Sequence, residues 1–218
     1  MNKLLLKLVG LGLLIAAALP LGCKQLGGLL YIMTPPREQK VSAEFPGLKN
    51  HSLAIVIFAD EATQYEYPNA RLTLAAKIAE NLKDNIKNIR IVKPIAVARY
   101  QDENIHWDVE RKTEIGRDLE VDYVLFLSLV VYSTREPGHL SAYQGRIAGE
   151  AKLYATEKKE GENCVWEHED DLEVSWPRVA RYSARVEPVI RQETERRFAD
   201  MLAKKFYNHK ILLDEEED

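Results

Sequence analysis

The residues able to do chemistry are few and scattered. Five histidines, His51, His106, His139, His168 and His209, stand far apart, with no H-E-x-x-H spacing and no C-x-x-C pair beside them. The chain has no G-x-G-x-x-G, no phosphate-binding P-loop and no G-x-S-x-G nucleophile turn, so neither a cofactor nor a metal is expected. Cys164 alternates with apolar neighbours and reads as a buried thiol rather than a nucleophile. The one hydrolytic arrangement on offer is Asp60 with Glu66, two carboxylates whose pKa values would have to separate into acid and base. Glu167, Glu169, Asp171 and Glu173 recur at period two, which is a solvated strand face or a surface for cations or a basic partner.

A protein-binding chemistry is better stocked. Tyr65, Glu66 and Tyr67 lie in DEATQYEYP, Tyr100 and Asp102 follow a short β-branched run, and Arg135 and Glu136 lie in STREPGHL. Tyrosine and arginine bury much area at small entropic cost and are enriched in interface hot spots. The neighbouring carboxylates can pair with them or with a partner's cations. These seven residues are the candidate partner-binding set, and no catalytic residue is expected.

The elements that must position them follow from periodicity. Ser52–Ala59 is a near-continuous apolar run, as in a strand covered on both faces, and Asp60–Pro68 reads as a loop. Residues 69–86 place apolar side chains at spacings of three and four, a helix with Asn69 as its cap. Ile89–Val92 is a short strand, and Pro94–Gln101 and Val109–Leu119 are helical. Tyr123–Tyr132 is the expected sheet centre. Tyr143–Tyr154 and Cys164–Trp176 alternate cleanly and form a hairpin, and Pro188–Tyr207 closes the fold as an amphipathic helix. The expected fold is α/β, a two- or three-layer mixed sheet of about five strands in the order βαβαβββα, with the first three strands parallel. Ligands of such sheets gather outside the carboxyl ends of the parallel strands, which is where the seven residues lie.

The chain has 218 residues, of which 46% are hydrophobic and 29% charged, enough for one globular core. The formal net charge of -4, with no basic run in the body of the chain, excludes the electrostatic footprint of a nucleic-acid binder. Residues 1–22 have a basic start (Lys3, Lys7) and an apolar run, Leu8–Leu19, shorter than the ~20 residues that span a bilayer, which is the layout of a secretory signal. The expected organisation is signal peptide 1–22, tether 23–50, α/β domain 51–213 and acidic tail 214–218. Leu21, Gly22 and Cys23 resemble the lipobox of bacterial lipoproteins, with Pro20 where that pattern usually has Leu. The resemblance implies acylation of Cys23, a membrane as partner and, with Lys24 next, an outer-membrane site facing the periplasm. Acylation would leave Cys164 as the only thiol and rule out an internal disulfide.

Leu53–Phe58 (LAIVIF) and Val121–Leu125 (VDYVL), in this order of elements, resemble the TolB amino-terminal-domain fold. That group includes the lipoprotein activators of penicillin-binding proteins and the curli secretion lipoproteins. The resemblance implies a non-enzymatic envelope module that binds another protein. The alternatives from the residues themselves are a small envelope hydrolase using the carboxylate pair and a purely structural envelope lipoprotein.

Overall fold

A computed structural model describes residues 38–159, 161, 163–168 and 172–212. The signal peptide, Cys23, the first part of the tether, Glu169, Asp171 and the acidic tail lie outside the described residues. Two units are distinguished among the described residues, 40–209 and 38–39 with 210–212. The strands β1 (Glu38–Val41) and β8 (His209–Leu212) make a two-stranded sheet, and in the smaller unit Lys210 Nζ is 2.5 Å from a Glu38 carboxylate oxygen.

The larger unit is a mixed α/β layer structure. Its elements are β2 (Ser52–Phe58), α1 (Glu61–Glu66), α2 (Ala70–Asn85), β3 (Arg90–Ile91), α3 (Pro94–Glu103), α4 (Lys112–Asp118), β4 (Tyr123–Arg135), β5 (Tyr143–Ala155), β6 (Cys164–Glu167), β7 (Leu172–Arg181) and α5 (Glu187–Ala203). The six-stranded sheet runs β3-β2-β4-β5-β6, with β7 also paired to β5. β3 and β4 flank β2 in parallel, whereas β5 is antiparallel to β4, β6 and β7. The parallel pair is locked at its start by Asp122, whose carboxylate accepts from the Ser52 amide at 2.7 Å and the Ser52 hydroxyl at 2.8 Å. Those bonds, with His51 beside them, hold the Asp122 carboxyl below its ordinary value.

Alternation decides which helix lies where. Leu53, Ile55 and Ile57 of β2 and Leu125, Leu127 and Leu129 of β4 face α2 and α5, and Ala54, Val56 and Val124 face Val97 of α3 and Ile115 of α4. Where both faces are covered, the strands carry unbroken apolar runs. Gly145 of β5 meets α5 so closely that an added Cβ would overlap Thr194 Oγ1. On the outer side of α5, Glu193 accepts from Arg196 at 2.7 Å and Arg197 at 2.9 Å.

Several expectations are corrected. Asp60–Pro68 is not all loop: Asp60 accepts from the Thr63 amide at 2.7 Å and starts the one-and-a-half-turn helix α1, which buries no residue and so leaves no apolar period to read. Asn69 precedes α2 without a side-chain capping bond. Residues 40–50, assigned to the tether, pack: Leu48 is fully buried, and Glu44 accepts from Lys205 and from the Trp166 indole. The second hairpin strand is broken into β6 and β7. Cys164 is exposed, because the pairing register shifts between Leu153–Trp166 and Tyr154–Cys164 and breaks the alternation that would have turned it inward.

Two outcomes follow. Gly145→Ala should destabilise the protein by about 1–3 kcal/mol through overpacking, read as a fall of several degrees in melting temperature. The hydrogen bonds from Arg196, joined by those from Arg197, hold the Glu193 carboxyl at about 2 against an ordinary 4.5. A depressed carboxylate contributes stability above its unfolded value and loses it as pH falls through the folded one. The stability gap between wild type and Glu193→Gln should therefore be constant above pH 4.5 and close toward pH 2, as followed by thermal melts across that range.

Candidate partner-binding surface

Beyond Ser128, the last residue paired to β2, β4 runs on with β5 and β7 as a three-stranded extension. A bulge between Leu129 and Val131 then switches the parity of the strand. Leu125, Leu127 and Leu129 face the α2–α5 side before it, and Tyr132 does so after it. Val131, Ser133 and Arg135 are thereby turned to the opposite face. Among the described residues no helix covers that face: the α3–α4 apolar cluster reaches no farther than Phe126 on β4 and Tyr154 on β5. The result is a stretch of open sheet bearing Val131, Ser133, Arg135 and, opposite Ser133 on β5, Arg146.

The 136–140 loop borders this face and makes a groove of about 360 Å³ with it. Arg135 lies over the Tyr143 ring at 5.2 Å and donates to the Leu140 carbonyl, so the guanidinium shapes the loop. Leu140 itself is 85% exposed at the rim. Glu136 is half-buried, with its amide bonded to the Ala142 carbonyl across the loop. Arg146 pairs with Glu173 at 2.7 Å, which accounts for one of the expected acidic-face residues; Glu167 pairs with Lys152, also at 2.7 Å.

The other predicted residues divide sharply. Tyr65 is 92% exposed at the end of α1, and Glu66 beside it is exposed. Tyr67 is the opposite, a core residue. Its ring packs 4.9 Å from that of Tyr132 and its hydroxyl lies 3.0 Å from Thr134 Oγ1 while accepting from the Thr134 amide. The break between α1 and α2 turns Tyr67 inward and leaves Tyr65 outside. Tyr100 belongs to the other face, where its hydroxyl donates to Glu110 and Asp118, and burial together with Glu110 pushes its pKa up. Asp102 is exposed and pairs with Arg71. The set is thus three groups rather than one, with Tyr67 in the core: Tyr65–Glu66, Arg135–Glu136 on the open sheet, and Tyr100–Asp102 on α3, which covers the other part of that same sheet face.

Asp60 is a helix cap, held below its usual pKa by the Thr63 bonds, and Glu66 lies at the far end of the same helix. Sequence reasoning missed Val131 and Arg146, and within the segment 133–140 it did not single out Ser133 or Leu140. The signal was the doublet Val130–Val131, two adjacent apolar residues where alternation demands a polar one. Under the groove's covered side, Glu195 is 4% exposed and accepts from Tyr132 at 2.6 Å and Thr73 at 2.7 Å. Burial, and then the Glu195 charge, raise the Tyr132 pKa.

Tyr67 thus supports the surface instead of forming it. Tyr67→Ala should cost about 3–5 kcal/mol in denaturant unfolding as a core aromatic truncation, and Tyr67→Phe about 1 kcal/mol for the lost hydroxyl bonds.

No protein-family model matches the chain, and no curated protein matches it. Solved structures that resemble it include the PelC dodecamer from Paraburkholderia phytofirmans, at 12% identity and TM-score 0.40, covering 78% of this chain and 98% of that one. The lipoprotein GNA1162 from Neisseria meningitidis aligns at 11% identity and TM-score 0.40, covering 68% and 98%. The hypothetical protein CT253 from Chlamydia trachomatis aligns at 11% and 0.37, covering 71% and 96%. Likenesses at these identities and TM-scores carry neither an activity nor a partner to this chain.

Proposed function

We propose that the protein is a non-catalytic envelope module, held to a membrane through acylated Cys23, that binds a protein partner on its open sheet face. The observation that carries the reading is the groove itself. A sheet face left without a helix among the described residues, bordered by a loop that exposes Leu140 and is organised by Arg135, offers a partner an apolar rim and a placed cation. Exposed Tyr65 on α1 adds a second anchor of the type enriched in interfaces. The secretory and lipobox-like features of residues 1–23 supply the compartment, an outer-membrane site facing the periplasm. The resemblance of Leu53–Phe58 and Val121–Leu125 to TolB amino-terminal domains favours a binding role over catalysis, and Asp60 is engaged as the cap of α1.

In-cell photo-crosslinking from positions 65 and 140 is expected to capture one and the same protein, with position 80, on exposed α2 surface, as the silent control. Leu140→Asp should reduce capture about tenfold while leaving stability within about 0.5 kcal/mol. Absence of capture from both positions overturns the binding reading. Loss of envelope-polymer turnover in Asp60→Asn or Glu66→Gln cells overturns the non-catalytic one.

A further inference from the structure

The open sheet face ends in a row that spans three strands. Arg135 of β4 is opposite Tyr143 of β5, and Tyr143 is opposite Arg181 of β7. From there residues 178–189 (RVARYSARVEPV) continue the surface with three arginines against one glutamate. Arg178, Arg181 and Arg185 are exposed and have no ion-pair partner among the described residues. Between them Val179 and Tyr182 are 73% and 78% exposed, and Val189 at the start of α5 is 59% exposed. Apolar side chains this open, interleaved with unpaired guanidinium groups, make a surface built for an acidic and partly apolar occupant.

The same chain presents that occupant. Residues 102–110 (DENIHWDVE), from the end of α3 toward α4, carry Asp102, Glu103, Asp108 and Glu110, and their Ile105 and Val109 are 83% and 80% exposed. Asp102 is paired with Arg71, Glu110 accepts from Tyr100, and Lys112 Nζ bonds the carbonyls of Trp107, Asp108 and Glu110. Trp107 alone of this segment's large apolar residues turns inward, against Phe58 and Phe126. The acidic segment belongs to the α3–α4 side of the sheet and the basic one to its β7 edge and α5. No hydrogen bond or ion pair joins them within one chain among the described residues. Two complementary patches that no bond joins within one copy can meet between two.

We infer that residues 178–189 of one copy bind residues 102–110 of the next, a head-to-tail contact between two different patches. A contact of that kind is heterologous, so every bound copy keeps one free patch of each sign and association propagates beyond the dimer until it closes. The inference rests on the reading of the open-sheet end as a binding face and names its partner: a second copy of this chain. An anionic lipid surface would use the arginines but leave the acidic, apolar segment at 102–110 without an explanation.

The test uses the full chain in cells, with Cys164→Ser to remove the exposed thiol. One tagged copy carries Ile105→Cys and a differently tagged copy carries Tyr182→Cys. Mild oxidation is expected to give a product holding both tags, and a chain carrying both cysteines should give a ladder, not a single dimer. Arg178→Glu with Arg181→Glu should weaken trapping at least about tenfold, and Glu103→Arg with Asp108→Arg in the other copy should restore it. A Tyr182→Cys product alone that stops at a dimer overturns the head-to-tail contact. Absence of a ladder, with a different protein captured from position 140, overturns self-association and leaves the binding face standing. Absence of both defeats the two readings together. Cosedimentation with phosphatidylglycerol vesicles that the arginine reversals abolish, in the absence of a ladder, assigns the strip to lipid and likewise overturns the proposal.

Discussion

A carboxylate taken out of water must be paired, and the buried Glu195 sets the arrangement around it. It sits on α5, accepts from Tyr132 of β4 and Thr73 of α2, and has Lys77 at 4.0 Å. An uncompensated buried charge is among the costliest defects a fold can carry, so these three elements have one relative placement that satisfies the group. Tyr132 can reach Glu195 only because the bulge has already turned it to the α5 side. The same turn sends Val131 and Arg135 to the other side. Satisfaction of the buried acid and exposure of the groove are two faces of one backbone irregularity.

The helices are unevenly distributed over a sheet that outgrows them. α2 and α5 cover one side, while α3 and α4 cover only the half in which β2 runs beside β4. Tyr67 braces the distal half from the covered side through Tyr132 and Thr134. The surface is therefore firm where it is supported and open where it is not, which keeps the ordering cost of a docking partner small.

Much of the architecture was legible because its signals are long. SLAIVIF announces a doubly covered strand, the three-and-four spacing of residues 69–86 announces α2, and the alternation of 143–154 announces β5. What escaped is what depends on a single residue of register. One shift moved Cys164 from inside to outside, and another turned Val131, Ser133 and Arg135 to the open face. α1 buries nothing and so has no pattern to show. Tyr65 and Tyr67 are chemically equivalent in sequence, and only the break between α1 and α2 sends one to solvent and the other to the core. Arg135 was legible as a binding type, whereas its partners, Tyr143 and the Leu140 carbonyl, belong to three-dimensional packing.

The bond between Ser52 and Asp122 also bears on time. It joins residues 70 apart, and the parallel pairing that it locks can form only after α1, α2, β3, α3 and α4 have been looped out. The antiparallel ribbon of β4 and β5 needs only its short connecting loop to close. Closure entropy is paid before a distant pairing returns anything, so the ribbon is the fast step and the arrival of β2 the slow one. Until then the inner edge of β4 stands unpaired, and the nascent chain is at its most vulnerable to association with strands other than its own.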